Sequence, residues 1–311
     1  MFGNKTVVDM INRSAENEPD RRAFLRAAGL AGLGTVGGMA VLGSTAGTAS
    51  AAPAPAVSDG AIFNFALNLE YLEAEFYLHA YYGWGVPSSL TSGTGTRGGV
   101  TGGRKVKFKS RAVAQYAKEI AQDELNHVAF LRKVLGSAAV SRPAIDLKSS
   151  FTAAARAAGL ITSKQTFDPF ANENNFLLAA FIFEDVGVTA YKGAAPLISN
   201  KDYLEAAAGI LAVEAYHAGI VRTSLYGKGL YKQAQKISDA RDSLDGASDD
   251  DRGIGKKKNG NLVPADNNSV VYSRTPANVL NIAYLNPKQV TKGGFFPAGV
   301  NGTFRESNAN A

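Results

Sequence analysis

Residues 120–131 read IAQDELNHVAFL, and within them a carboxylate and an imidazole interrupt an apolar helical stripe. The two polar residues, Glu124 and His127, are three positions apart, which places their side chains about 60° apart on one helical face. A glutamate and a histidine in this arrangement can bind the same metal ion. Residues 214–217, EAYH, repeat the Glu-x-x-His spacing further along the chain. The two motifs predict one buried site built by two helices.

Four segments have the apolar periodicity of amphipathic helices, and we name them A (61–82), B (110–135), C (175–197) and D (202–226). Each apolar stripe contains a glutamate near its middle; in chain order these are Glu70, Glu124, Glu184 and Glu214. An ionised carboxylate is strongly disfavoured in an apolar interior unless it is paired, and four at one level also repel one another. The stripes hold no lysine or arginine, so we expect cations from solution to neutralise the glutamates.

The predicted ligands form a complete set for two metal ions. Helices A and C each give one glutamate, and helices B and D each give Glu-x-x-His, which is the ligand set of di-iron and di-manganese carboxylate bundles. By this analogy the motif glutamates bridge the metals and the other two are terminal. Oxygen and imidazole ligands favour iron or manganese, with zinc as an alternative. The predicted ligands are Glu70, Glu124, His127, Glu184, Glu214 and His217.

An internal repeat supports this assignment. Helix A aligns with helix C, and helix B aligns with helix D, so the chain is predicted to form two helical hairpins that each supply half of the site. The aligned pairs are Glu70 with Glu184, Tyr77 with Tyr191, Glu124 with Glu214, His127 with His217 and Arg132 with Arg222.

Other polar residues of helix A leave alternatives open. Glu73 lies three positions after Glu70 and competes with it as a ligand; the repeat favours Glu70 and leaves Glu73 as a supporting or alternative ligand. Tyr77 and Tyr191 are candidates for hydrogen bonds to the ligands, with simple core packing as the alternative. His79 falls outside the pattern, and we expect it to face solvent.

The connections and the C-terminal part are less regular. The A–B loop, 83–109, is dense in Gly, Ser and Thr and is expected to be mobile or draped; the long B–C connection, with a short helix at 151–158, can cross the bundle. We predict a bundle domain at 58–227 and a partly helical extension at 228–311 that packs on it. In this extension, residues 249–251 and 256–258 are expected in an exposed loop, and Phe295 and Phe296 are expected to dock on the bundle.

The first 51 residues have the pattern of an export signal. Arg21 and Arg22 precede an uncharged stretch rich in Ala, Gly and Leu, and small residues at 49–51 suit a signal peptidase. The paired arginines indicate a twin-arginine signal, so we expect a periplasmic or extracellular protein without a permanent membrane span. A short transmembrane helix is the alternative, which the glycines of this stretch weaken.

Composition limits the chemistry of the site. The 311 residues are 45% hydrophobic and 19% charged and include no cysteine, which excludes disulfides, thiolate metal sites and iron–sulfur clusters. The net charge of +6 comes from scattered basic residues, so we expect no nucleic-acid partner.

Taken with the motifs above, residues 69–77 (LEYLEAEFY) and 183–185 (FED) resemble the ferritin-like superfamily. The tail stretches 273–280 (SRTPANVL) and 293–299 (GGFFPAG) are similar to its exported, desiccation-related branch. The likeness covers residues 58–304. It implies an all-α four-helix bundle and its metal ligands more strongly than an activity, because members of the superfamily store iron, reduce or dismute peroxide, or do none of these.

Two hypotheses follow for function. The first is a di-metal oxidoreductase whose small-molecule substrates are oxygen or peroxide and ferrous iron. The second is a non-catalytic desiccation or stress protein with a structural metal site. Iron storage in a hollow cage is disfavoured because the tail and the A–B loop would crowd the packing surfaces, although smaller oligomers stay open.

Overall fold

The structure is a computed structural model that describes residues 57–248 and 250–310. The predicted export signal at 1–51 lies outside these residues. The described part contains seven α-helices: α1 (Asp59–Tyr82), α2 (Arg111–Leu135), α3 (Ser149–Ala157), α4 (Glu173–Ala194), α5 (Lys201–Gly227), α6 (Tyr231–Asp245) and α7 (Pro276–Ala283). Four two-residue strands pair in two small sheets: β1 (Val100–Thr101) lies parallel to β2 (Ile145–Asp146), and β3 (Gly255–Lys256) lies antiparallel to β4 (Asn259–Gly260).

The predicted all-α four-helix bundle is confirmed, with α1, α2, α4 and α5 in the places of helices A to D. The main contacts are those of α1 with α2 and of α4 with α5, which form the two expected hairpins. Each of the four begins at a serine or asparagine whose side chain accepts a hydrogen bond from a backbone N–H of the first turn. The helix α1 ends at Gly83, whose φ of 88° is a conformation that glycine adopts without strain.

The A–B loop is draped over the first hairpin. Arg132 on α2 donates a hydrogen bond of 2.6 Å to the Ser92 carbonyl, and the Val106 N–H donates one of 2.8 Å to the Ala80 carbonyl. The pairing of β1 with β2 joins the loop to the crossover that follows α2. These hydrogen bonds and the strand pairing attach the loop at several points along its length.

The C-terminal extension packs on the bundle, as predicted, and it contacts α4 of the second hairpin. Phe295 and Phe296 are both buried, and the Phe295 ring lies 4.9 Å from that of Phe151 on α3 and 5.0 Å from that of Phe183 on α4. The crossover and the tail therefore share one aromatic cluster with the bundle. Burial of rings this large is a major contribution to the core.

A buried ion network fastens the extension to α4 and α5. The guanidinium groups of Arg222, Arg241 and Arg274 meet the carboxylates of Asp185, Asp245 and Asp251. All six residues are buried. The prediction of an exposed loop at 249–251 is therefore wrong for Asp251, because this aspartate turns inward to Arg241 and Arg274; Asp249 lies outside the described residues.

Among the described helices, only Lys201–Gly227 is long and apolar enough to cross a membrane by length and composition. In the bundle this helix buries Glu214, His217 and Arg222 on its inner side. A core helix of a soluble bundle has the same composition, so the feature is weak support for a membrane span.

Candidate metal centre

The structure brings all six predicted ligands together in the middle of the bundle. Each is buried, and the four glutamates are between 0% and 1% exposed. One group consists of Glu70, Glu124, His127 and Glu214, and a second consists of Glu184, Glu214 and His217. Within each group the candidate ligand atoms lie within 4.8 Å of one another, which is close enough to hold a metal ion.

His127 faces three carboxylates through one ring nitrogen. Its Nδ1 lies 3.2 Å from Glu70 Oε2, 3.5 Å from Glu124 Oε2 and 3.6 Å from Glu214 Oε1. The four residues come from α1, α2 and α5, so the group depends on the packing of three helices. An ion between these atoms would have one nitrogen and several oxygen ligands.

His217 occupies the matching place on the other side. Its Nδ1 lies 3.1 Å from Glu124 Oε1 and 3.7 Å from Glu184 Oε2. Glu124 thus directs one carboxylate oxygen to each histidine, as a bridging ligand does. Glu214 belongs to both groups, so the two glutamates predicted to bridge are the two that face both halves of the site.

Several polar atoms of the site are buried without a hydrogen-bond partner. They are both carboxylate oxygens of Glu124, both of Glu214, Glu184 Oε2 and His217 Nδ1. Buried polar atoms normally have partners, so a cluster of this kind points to an ion that satisfies them. The donor set of oxygens and imidazole nitrogens fits two divalent ions such as iron or manganese.

Two tyrosines bind, in a crossed arrangement, the two carboxylates that are predicted to be terminal ligands. Tyr77 on α1 donates a hydrogen bond to Glu184 Oε1 on α4, and Tyr191 on α4 donates one to Glu70 Oε1 on α1. Each hydroxyl leaves the second oxygen of its glutamate facing the histidines. The hydrogen-bonding role that the sequence suggested for these two tyrosines is therefore present in the structure.

His217 also has a partner on its outer side that sequence reasoning missed. Its Nε2 lies 3.1 Å from Asp123 Oδ2 on α2. A carboxylate at this nitrogen accepts its proton and leaves Nδ1 free to bind a metal. The adjacent position of Asp123 and Glu124 was the only available signal, and it does not show that Asp123 reaches another helix.

Burial strongly perturbs the pKa values of the ionisable groups in the site. Burial raises the pKa of Glu70 to about 7 and that of Glu184 to about 8, and it raises the pKa of Glu214 well above its usual value. Burial acts to lower the pKa of His127, but Glu70 and Glu124 outweigh it and raise the pKa to about 11. Metal binding to these groups would therefore be coupled to the release of protons.

Glu73 is a fifth buried carboxylate beside the site. It lies outside both ligand groups, and burial together with the charges of Glu124 and Glu184 raises its pKa well above the usual value. The position that matches Glu73 on α4 is Gly187. A Cβ atom at Gly187 would lie 2.5 Å from Glu214 Oε2 and 3.5 Å from Glu73 Oε1. The missing side chain leaves room for both carboxylates.

Two other residues lie away from the centre. His79 was expected to face solvent, but its ring is largely covered, and its Nδ1 lies 2.7 Å from the Glu75 carbonyl. That expectation is wrong because the A–B loop folds over the ring at Gly85 and Gly103. Tyr216, between Glu214 and His217 in sequence, is 71% exposed and points away from the site.

Comparison with known proteins agrees with this geometry. The family model for the ferritin-like domain matches residues 58–227. The chain is 31% identical over 262 residues to the desiccation-related protein PCC13-62 of Craterostigma plantagineum, with 77% of this chain and 82% of the relative covered. It is 26% identical over 263 residues to the ferritin-like catalase Nec2 of Nesocodon mauritianus, with 78% and 83% covered.

No solved structure matches the chain at a significant level. The family assignment therefore rests on the domain match and on the two relatives. With its four-helix bundle and buried carboxylate–histidine cluster, the chain belongs to the ferritin-like superfamily, in the branch that includes desiccation-related proteins.

Proposed function

We propose that this protein is an exported di-metal carboxylate protein that removes hydrogen peroxide in stress protection, with iron or manganese as its metal. The observation that carries the proposal is the set of buried, unpartnered carboxylate oxygens on Glu124, Glu184 and Glu214. Buried ionisable groups with strongly shifted pKa values are concentrated at functional sites. One relative is named a ferritin-like catalase, which supports peroxide as the substrate.

The chain's own residues would build the centre in three ways. Glu124 and Glu214 would bridge the two ions, and Glu70 and Glu184 would bind one each while Tyr191 and Tyr77 hold their outer oxygens. Bound iron or manganese would supply a reversible change of valence and polarise the oxidant.

The surroundings of the centre suit this chemistry. His127 and His217 would each give one neutral nitrogen, and Asp123 would fix the ring of His217. The burial of the six predicted ligands excludes bulk water from the centre, which strengthens the electrostatic interactions there. No cysteine is present, so an electron donor that binds metal through thiolates would have to be a separate protein.

Metal analysis and a peroxide assay test the proposal together. Protein produced in an exporting host and loaded anaerobically with manganese or ferrous iron is expected to hold two ions per chain. The loaded protein is expected to consume hydrogen peroxide, and release of one oxygen molecule for every two peroxides identifies disproportionation. Oxidation of added ferrous iron by oxygen, followed by absorbance, identifies the ferroxidase alternative. Protein that holds two ions and is inert in both assays would contradict the proposal.

A second candidate is a non-catalytic desiccation protein with a structural metal site. It is supported by the relative named a desiccation-related protein and by the buried ion network that fastens the large extension. In that case Glu214→Gln would lower the metal-dependent gain in melting temperature but leave protection of a dried test enzyme unchanged. Loss of protection in a folded Glu214→Gln variant would contradict it.

Export is proposed from the sequence alone. The twin-arginine segment predicts that Arg21→Lys together with Arg22→Lys keeps the protein in the cytoplasm. Cell fractionation with an antibody to the folded domain measures this, and a variant changed at Lys5 and Arg13 serves as the control. Export that is unaffected by the paired substitution would exclude the twin-arginine route.

A further inference from the structure

The two sides of the metal centre differ in what covers them. On one side lie the two histidines, His127 of α2 and His217 of α5. Their Nδ1 atoms lie 3.2 Å from Glu70 Oε2 and 3.1 Å from Glu124 Oε1, respectively. On the other side α1 and α4 meet, and there the helix repeat places Glu73 opposite Gly187. This side has no imidazole, and at Gly187 it also has no side chain.

Because Gly187 has no side chain, only the backbone of α4 covers the predicted metal centre at this point. Because a Cβ atom there would lie 2.5 Å from Glu214 Oε2, the backbone of Gly187 lies directly against a predicted bridging ligand. The same added atom would lie 3.5 Å from Glu73 Oε1, so both carboxylates reach this gap. A larger residue at Gly187 would fill this gap and displace the Glu214 carboxylate.

An apolar cavity lies on the outer side of the gap. Its volume is about 30 Å³, and the bundle lines it with Leu69, Leu72, Glu73, Val186 and Gly187 among others. The extension covers it from outside, with side chains of α7 and with Phe295. Glu73 is the one ionisable residue in this lining, and the other lining residues are apolar or glycine.

We propose that this cavity holds the small uncharged oxidant, hydrogen peroxide or dioxygen, on its way to the metal centre, and that Glu73 hydrogen-bonds it there. The inference rests on the proposed function. The volume exceeds the roughly 10–15 Å³ that one water-sized molecule requires. An apolar lining admits neutral molecules and disfavours ions.

Filling the cavity from α7 tests this without touching a ligand. Ala283 is buried in the cavity wall, so Ala283→Phe occupies the space, with Ala283→Leu as the milder change. The matched control is Ala158→Phe, which fills a separate apolar cavity between α3 and α6. Xenon applied to crystals reports the cavity without any reaction, because empty apolar cavities bind it.

We expect xenon in the wild-type cavity and none in that of Ala283→Phe. In the loaded protein, Ala283→Phe is expected to lower kcat/KM for peroxide at least tenfold with two ions still bound, and Ala158→Phe is not. Glu73→Leu should lower kcat/KM with the metal content unchanged, and Glu73→Gln should restore part of it. A cavity without xenon, or a filled cavity with an unchanged rate, would overturn the route alone. A wild-type protein inert to oxidants would overturn the proposed function and the route with it.

Discussion

Tyr191 and Glu70 lie 121 positions apart on different hairpins, and the tyrosine hydroxyl donates a hydrogen bond to Glu70 Oε1. Tyr77 and Glu184 make the same contact in the opposite direction. Each hairpin therefore holds the terminal carboxylate of the other, so the hairpins must be packed together before either carboxylate is fixed.

Removal of one tyrosine hydroxyl should weaken metal binding at one half of the site more than at the other. We expect Tyr191→Phe to reduce metal affinity about tenfold, the lower end of the effect seen for groups that orient metal ligands. The reason is that Glu70 loses its fixed orientation while Glu184 keeps the bond from Tyr77. Anaerobic calorimetric titration measures the two binding steps. A loss spread equally over both steps would contradict the crossed arrangement as the cause.

Glu214 offers a test that separates metal binding from folding. Burial raises its pKa well above the usual value, which favours the neutral carboxyl, and glutamine is a neutral side chain of the same shape. We expect Glu214→Gln to change the melting temperature of the metal-free protein by less than about 3 °C, roughly what 1 kcal/mol produces at this size. The same change should abolish the rise in melting temperature on addition of manganese.

Differential scanning calorimetry with and without manganese makes the measurement. The matched control is Glu205→Gln, an exposed position on the same helix that should behave as the wild type. If Glu214→Gln still gains stability from manganese, Glu214 is not a ligand.

Periodicity was sufficient to predict the bundle and the convergence of six side chains, because a charged residue in an apolar stripe is visible in sequence. The repeat also pointed to Tyr77 and Tyr191. The buried network of Arg222, Arg241 and Asp251 was not predicted, since each partner lies in a different element and the apolar stripe assigned to helix D did not include Arg222. The burial of His79 was missed for a similar reason, because a loop covers it and not a helix.

Asp123 should set the tautomer of His217. With Asp123→Ala, Nε2 loses the acceptor 3.1 Å away, and we expect metal affinity to fall about 10-fold to 100-fold at the half of the site that contains His217. Glu119→Ala, at an exposed position on the same helix, is the control. Calorimetric titration of both variants makes the comparison, and equal affinities would show that Asp123 has no role.

As pH rises, the stability of the metal-free protein should fall and the stabilisation gained from bound metal should grow. The pKa values of Glu70 and Glu184 are raised from 4.5 to about 7 and about 8, so the metal-free fold binds more protons than the unfolded chain between these limits. The stability of the metal-free protein should therefore fall as pH rises from about 5 to 8.

Histidine titration acts in the same direction. The raised pKa of His127 stabilises the metal-free fold at low pH, and this contribution is lost as pH rises from 6.5 towards about 11. Because bound ions replace the protons, the gain in melting temperature from manganese should grow between pH 6 and pH 8. A gain that is constant or decreases over this range would contradict protonation of the cluster.

From the ion network we predict that the folded state of the extension depends on one arginine, Arg274. Arg274 donates to Asp245, to Thr189 Oγ1 at 3.0 Å and to Asp251 Oδ2 at 3.0 Å, and it is 1% exposed. Arg274→Met leaves the buried carboxylate of Asp245 without its arginine, whereas Asp251 keeps its ion pair with Arg241. Loss of one side of a buried pair costs about 3–5 kcal/mol.

We expect the extension of Arg274→Met to become sensitive to protease while the bundle remains folded, because the bundle's aromatic core does not include this arginine. Limited proteolysis with mass spectrometry identifies the cleavage sites, and Lys288→Met, at an exposed position in the extension, is the control. Acid should lessen the defect, since burial raises the pKa of Asp245 to about 6 and protonation removes its unpaired charge. Cleavage that begins in the bundle, or a defect equal at pH 5 and pH 8, would show that the network does not act as the fastening of the extension.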